Sequence, residues 1–317
     1  MTLGLLVLRR LAAAGAVLAV LSAVIFLATD VLPGDAAGVL AGADATTADR
    51  AELTRRLHLD ESPVTRYLHW AGDALHGDLG QGQVGGRAVN EVLGDTVPNS
   101  LALTVLALAL ALPCAVLLGL VTAARLGGRA DRAVSLVTLA AAGLPEFVTA
   151  ALLAWAFGAL LGVLPRVSLV DLGERPWESP EVMVLPALTL AIVATAIATR
   201  LLRSSAADVA AAPYVRAARL RGVHGLRLAL RHLLPASFAP TAQVVAVLFG
   251  GLLGGAVVVE SVFNYPGVGF ELAQAVANRD VPMVQGLSLA LCALALLGLL
   301  CGDVVAAVVD PRTRRGR

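Results

Sequence analysis

Two acidic residues, Glu146 and Asp303, lie inside long apolar runs of this 317-residue sequence. An ionisable group in such a run is expensive to hold in hydrocarbon and is a functional candidate by default. Two readings of Glu146 stand side by side. It is a carboxylate that faces a solute path and meets a cationic group, or it is a protonated, hydrogen-bonded side chain at the kink set by Pro145. Asp303 stands near the end of the last run, where pairing with a nearby arginine in a structural role is expected. The densest positive charge lies in "YVRAARLRGVH", Tyr214–His224, with Arg216, Arg219 and Arg221, and Arg203 upstream. Ala217 and Ala218 are small enough to let another surface approach. Gly222 permits the positive φ that a tight helix–turn–helix needs. Such a segment between two apolar runs is either a lever for a partner or a set of charges that only anchors topology.

Covalent chemistry finds little support. All 24 basic residues are arginine, so the lysine-dependent phosphate loop cannot be formed. "GQGQVG" (Gly80–Gly85) fits a G-x-G-x-x-G pattern, but no strand precedes it and no dinucleotide-binding helix follows. The histidines at 58, 69, 76, 224 and 232 are not paired within an apolar run, and no H-E-x-x-H occurs. Cys114, Cys292 and Cys301 all sit in apolar runs without metal-ligand spacing and read as small hydrophobes. No catalytic residue, metal site or bound cofactor is expected. Work against a gradient would draw its energy from a partner or from ion flow.

The elements that must position these residues are membrane helices. The chain is 58% hydrophobic and 15% charged, with a mean hydropathy of +0.81. A soluble domain is about half apolar and about a quarter charged. A span needs about 20 mostly apolar residues. Six runs qualify: Leu11–Thr29, Asn99–Ala124, Ala133–Leu164 (interrupted at Pro145-Glu146), Val182–Thr199, Leu233–Val259 and Val281–Gly302, the last extended by Val304–Val309. Arg9-Arg10 before the first run resembles the start of a signal peptide, but no cleavage pattern follows, and a retained helix is expected. With six spans, both termini share one side. That side carries 16 arginines against Asp131, Asp208 and Asp310, and the other side eight arginines against 18 acids. Positive charge in short loops marks the cytoplasm, so both termini and the arginine loop are expected there. The chain therefore divides into residues 1–29 (tail and first span), 30–97 (an extracytoplasmic segment) and 98–317 (a five-helix core with a cytoplasmic loop at 204–234).

In the extracytoplasmic segment, Ala48–Leu59 reads as a short amphipathic helix. Thr65–Leu75 places Tyr67, Leu68, Trp70, Ala71 and Leu75 on one broad face, which caps the bundle or rests at the membrane interface. In the loop, Ser204–Arg221 reads as a helix interrupted near Pro213, and Leu226–Leu234 as a second one after Gly222. Gly250–Gly255 holds two overlapping G-x-x-x-G pairs, 250/254 and 251/255, suited to close helix contact at a subunit interface or in internal packing. "ESVFNYPGVG" (Glu260–Gly269) reads as a re-entrant turn or a short helix on the outer face. Pro266 and Gly267 set its bend, and Phe263 and Tyr265 are expected at the interface.

The loop pattern resembles a known one. Ala217-Ala218, Gly222 and Leu234-Pro235 look like the "EAA" loop of ABC importer permeases, with Arg216 where that motif has its glutamate. "YVRAARLRG" is similar to the branch that imports dipeptides, oligopeptides and nickel, with Pro213 where an acid is usual before the tyrosine. The resemblance runs in order along nearly the whole chain: "LPGD" (Leu32–Asp35), "LDESPVTRYLHW" (Leu59–Trp70), "GDLG" (Gly77–Gly80) with Gly82 in place of the usual serine, "LPEF" (Leu144–Phe147) with an unusual Glu146, "LPALTLA" (Leu185–Ala191), "RLLRSS" (Arg200–Ser205), Gly250–Gly269, "NRDVPMVQG" (Asn278–Gly286) and "DPR" (Asp310–Arg312). It implies an all-α polytopic membrane protein with six transmembrane helices, the type I ABC importer permease fold with a cytoplasmic coupling helix. It implies a bacterial inner membrane, a second homologous permease subunit, two cytoplasmic ATP-binding subunits that use the ATP, and an external solute-binding protein. Nucleic acid is no partner. Tyr214, Arg216, Ala217, Ala218, Arg219 and Gly222 would form the ATPase-coupling helix, Glu146 would lie on the translocation pathway, and Glu260, Phe263, Pro266 and Gly267 would help form an outer gate. The solute is a peptide, nickel or another small molecule. The competing reading is an ion-coupled secondary transporter. Such carriers usually show internal repeats and ionisable residues in several spans, and neither is evident. An intramembrane enzyme lacks its catalytic set.

Overall fold

A computed structural model of the protein describes residues 3–31, 61–171 and 173–309, with the side chains of 3–6, 31, 234–244 and 305–309 not described. "LPGD", Ala48–Leu59 and "DPR" lie outside the described residues. Regular structure among the described residues is helical, apart from one isolated bridge, Gln81 to Ala88. In chain order the helices are α1 (Leu3–Val31), α2 (Pro63–Leu75), α3 (Val89–Ala124), α4 (Arg129–Gly143), α5 (Glu146–Leu153, continued by a π-helical stretch Ala154–Leu160) and α6 (Glu181–Ala210). They continue as α7 (Pro213–Leu220), α8 (Gly225–Leu228, followed by a π-helical turn Ala229–Leu233), α9 (Leu234–Phe263), α10 (Val268–Ala277) and α11 (Val281–Val309).

Five stretches are long and apolar enough to cross a membrane: Val7–Asp30, Val89–Ala124, Glu181–Ala210, Val245–Phe263 and Val281–Val304. The third expected run supplies a sixth only as a bent pair. α4 and α5 meet at 101° rather than forming one interrupted helix. The cause is local. Leu144, before the proline, is held extended at φ −82°, ψ 128°, and Pro145 opens the next helix from φ −59°, ψ 145°. α3 also differs from its apolar run. It starts at Val89 and carries Pro98 and Pro113 inside it. Its 36 residues extend about 54 Å, well beyond a hydrocarbon core of about 30 Å. A division at 97/98 therefore falls inside a helix.

The core is the α3–α6 seam. Leu103, Ala107, Ala111 and Ala115 recur every fourth residue on α3, and Ala187, Leu190, Ala191, Ala194 and Ala198 line the facing stripe of α6; all are buried. Small side chains let two backbones approach in lipid, where dispersion rather than water exclusion drives association. α9 packs on α6 and α11. The close approach to α11 comes from Gly298 and Gly302, where a Cβ would strike the Phe249 ring and Ala246. The 250–255 glycines play a lesser part: Gly251 and Gly254 have nothing within 4 Å of an added Cβ, and Gly250 meets only ordinary contacts with α11. α1 runs along α11, joined by the Gln285 amide donating to Thr29 Oγ1 at 2.7 Å. At its other end the expected partner of Asp303 is Arg10, at 3.0 Å.

α2 begins with Ser62 as N-cap, its Oγ accepting from Thr65 N at 3.2 Å, and Pro63 in the first turn. Its aromatic residues turn inward onto α1: Phe26 meets Tyr67 at 5.5 Å and Trp70 at 6.1 Å. Arg66 pairs with Asp30 at 2.6 Å. The broad apolar face is thus split, with Leu68 and Leu75 left exposed. The glycines of "GQGQVG" form a turn rather than a ligand loop. Asp280 accepts from Val84 N at 2.9 Å, and a side chain at Gly82 would come to 2.9 Å from Asp280 Oδ2. The turn needs glycine there so that Asp280 can hold it.

Candidate functional site

The Tyr214–Gly222 segment forms a short helix on a seat. Ala211 and Ala212 separate it from α6. Pro213 occupies the first turn, where its missing N–H has no helical partner to lose. Val215 and Ala218 point into a cluster with Ala123, Ala206, Ala210, Leu228, Ala229 and Leu233. Ala218 is therefore part of the seat and not of a free face, because α7 needs a small residue where it crosses its own chain. The opposite side is open. Tyr214 is 51% and Leu220 90% exposed, and Arg216, Ala217, Arg219 and Arg221 surround them. Gly222 stops the helix at φ +82°, its N–H bonding Arg219 O at 2.9 Å, while Val223 N bonds Ala218 O at 3.1 Å. The expected left-handed turn is present.

A brace lies beside this seat. Arg203 grips Asp131 with two bonds, Nε to Oδ1 at 2.5 Å and Nη2 to Oδ2 at 2.9 Å. Asp131 also accepts Gly127 N at 2.9 Å and is 1% exposed. The α3–α4 turn is thereby fixed to α6 about two turns before α6 hands over to α7. Arg203 thus has a structural partner and is not a free member of the arginine rim. Sequence spacing hides this pair, since its members are 72 positions apart.

Glu146 opens α5 at the crook of the broken span. It is half-buried, and its side chain makes no hydrogen bond or ion pair among the described residues. Its Oε1 lies 3.4 Å from the position a Cβ would take at Gly255, with Leu190 of α6 beside it. Of the two readings of Glu146, the kink is observed and its internal hydrogen bond is not.

At the other end of the bundle, Glu260 is fully buried. Ser100 Oγ donates to its Oε1 at 2.7 Å, and Gly269 N donates to its Oε2 at 2.7 Å. The carboxylate so caps the first turn of α10, where free N–H groups and the helix dipole favour negative charge. Asn264 takes a left-handed φ of 53° and turns the chain back on itself. Phe263 and Tyr265, expected at the membrane interface, are consequently both fully buried. Tyr265 donates to Asn99 O at 2.9 Å, and Asn99 Nδ2 donates to Pro266 O at 2.7 Å. Gly267 and Gly269 are required by contact: a Cβ at Gly267 would overlap the Glu260 carboxyl, and one at Gly269 would overlap Val257. Glu260, Phe263, Pro266 and Gly267 are thus brought together, whereas Glu146 and α7 stand apart from them. Ser100 and Asn99 are not among the residues that sequence alone marks out. Two polar residues opening an otherwise apolar run were the available signal.

No group of three or more metal-ligating side chains occurs among the described residues. The arrangement is mechanical, with a seated helix that presents an open face, a brace behind it, and a buried polar knot at the far end. The family model for the inner membrane component of binding-protein-dependent transport systems matches residues 115–315, which contain the brace, Glu146, α7 and Glu260. The chain is also similar to the probable peptide ABC transporter permease protein y4tP of Sinorhizobium fredii, 32% identical over 98% of this chain and 100% of that protein. It is 33% identical to the glutathione transport system permease protein GsiC of Escherichia coli, over 97% of this chain and 98% of that one. On a family match over most of its length and on full-length similarity to ABC transporter permeases, the chain belongs to the family of binding-protein-dependent transport system inner membrane components.

Proposed function

We propose that this permease subunit forms half of the pathway of an ATP-driven peptide importer and takes its driving force at α7. The single observation that carries the coupling role is α7 itself. It is anchored on one side by Val215 and Ala218 and open on the other at Tyr214, Ala217 and Leu220. A force applied there reaches α6 directly and α9 through the Ala229–Leu233 turn that leads into it, because the same cluster contains Ala206 and Ala210 of α6 and Ala229 and Leu233 of that turn. Two ATP-binding subunits, a second homologous permease and an external solute-binding protein complete the assembly. ATP is bound by the partner, and the chain itself holds no cofactor. Both termini and α7 face the cytoplasm, as the arginine distribution favours. The relatives' names, one for peptide and one for glutathione, favour a small peptide over nickel as solute.

In this reading Arg216, Arg219 and Arg221 rim the ATPase contact, Gly222 makes the turn that ends it, and Ala218 seats it. Glu146 lies on the solute path, where a free carboxylate beside the bare Gly255 backbone can meet a cationic group. Glu260, Phe263, Pro266 and Gly267 move as one body and serve as the outer gate. The test is co-purification of the assembled transporter with its ATPase from membranes. Tyr214→Ala with Leu220→Ala should release the ATPase while the chain stays inserted and folded, and undiminished ATPase retention would defeat the proposal. Impermeant thiol reagents on single cysteines introduced at 226 and at 85 settle orientation: labelling of 226 from outside would reverse it.

A further inference from the structure

A cavity of about 530 Å³ opens between α4 and α6, near the Asp131–Arg203 brace. Its lining is polar at one end and apolar at the other. Ser135, Arg200, Arg203 and Ser204 line the end nearer α7, while Leu139 on α4 and Ile197 on α6 lie about one to two turns farther from it. Leu139, Ile197 and Leu201 are exposed in this chain, so the cavity opens sideways. Its charge is positive on balance. Arg203 is matched by Asp131, but Arg200 has no ionic partner among the described residues, and Arg132 stands close enough to Asp131 to add its field. An unpaired guanidinium beside an apolar flank of Leu139, Ile197 and Leu201 matches one chemistry: a phosphate ester on a hydrocarbon chain. Basic pockets between spans on the cytoplasmic side take anionic headgroups for this reason.

We infer that the α4–α6 cavity binds an anionic phospholipid, with the phosphate at Arg200 and an acyl chain against Leu139, Ile197 and Leu201. A lipid there clamps α4 to α6 at the level of the brace, and so reaches the helix that carries α7. The choice of leaflet rests on the orientation proposed above. The binding does not, so the two can fail separately.

The assembled transporter, purified in mild detergent, is offered phosphatidylglycerol or phosphatidylcholine and weighed by native mass spectrometry. The wild type is expected to retain phosphatidylglycerol preferentially, and Arg200→Gln to weaken that retention by about five-fold, the effect of one arginine at an anionic headgroup. Arg200→Lys should keep most of it. Excess inorganic phosphate should leave the lipid in place. Equal retention of both lipids, unchanged retention in Arg200→Gln, or displacement by phosphate alone would overturn the inference. So would efficient crosslinking of a cysteine at 139 to the second permease in native membranes, since protein would then fill the slot. Undiminished ATPase retention in Tyr214→Ala with Leu220→Ala, with lipid retention intact, would instead count against the coupling role of α7.

Discussion

The two ends of the bundle handle charge in opposite ways. At the α10 end, Glu260 is sealed inside and held by a hydroxyl from α3 and a backbone N–H of α10. At the α7 end, Asp131 is sealed but its partner Arg203 is part-exposed, and the arginines beyond it are open. A buried carboxylate held from several helices has one low-energy arrangement, because losing any donor leaves a desolvated group unmatched. A helix seated by alanine and valine contacts, with a solvent-facing rim, can shift as a body without stranding any polar group. In the lever proposed above, the first end is the fixed point and the second the moving one.

The largest effect should come from the rigid end. Gly269→Ala places a methyl on the Val257 backbone, where neither helix can yield. Stability should fall by about 3 kcal/mol, read as a lowered melting temperature of the purified assembly. A variant that melts normally would show that this end is not the fixed point. Next is Glu260→Gln, which turns an amide donor toward the α10 N–H groups and should cost about 1–3 kcal/mol in the same measurement. Asp131→Asn belongs to the intermediate region. It breaks one buried partner, but the part-exposed Arg203 can turn to water, so about 1–2 kcal/mol is expected. A double-mutant cycle with Arg203→Gln checks whether the loss belongs to the pair.

Tyr214→Ala with Leu220→Ala sits at the other extreme. Both side chains are mostly exposed, so melting should change by no more than about 0.5 kcal/mol while ATPase affinity falls at least about ten-fold. Destabilisation on the scale of Gly269→Ala would erase the distinction between the ends. Glu146→Gln sharpens the comparison midway between them. Uptake of cationic solutes should drop about ten-fold relative to neutral ones, with little change in melting. Equal uptake of both would remove Glu146 from the path.

Much of the moving end was readable from residue order. Pro213, the alanine pair and Gly222 are local signals, and the helix–turn they imply forms with Gly222 at φ +82°. The Asp303 pairing was also anticipated, since an acid near a span end finds an arginine at that level. The rigid end was readable only as a bend. Nothing local in "ESVFNYPGVG" says that its glutamate will be capped by Ser100, 160 positions away, or that Phe263 and Tyr265 will turn inward. The glycines mislead in the same manner. The conspicuous run at 250–255 packs loosely, while the sparser Gly298 and Gly302 make the tight crossing.

Residue order was enough to fix the number and order of spans, the side on which arginine gathers and the site of the short helix between α6 and α9. These depend on how each residue partitions between water and hydrocarbon and on backbone preferences over a few neighbours, so order along the chain suffices. The tertiary structure alone decided that the third span breaks by 101°, that Arg203 is matched to Asp131, that Ala218 faces inward while Ala217 faces out, and that Glu260 is a buried cap. The cost of a charge or a glycine at those places depends on atoms delivered by other helices, and only folding brings them within a hydrogen bond's reach.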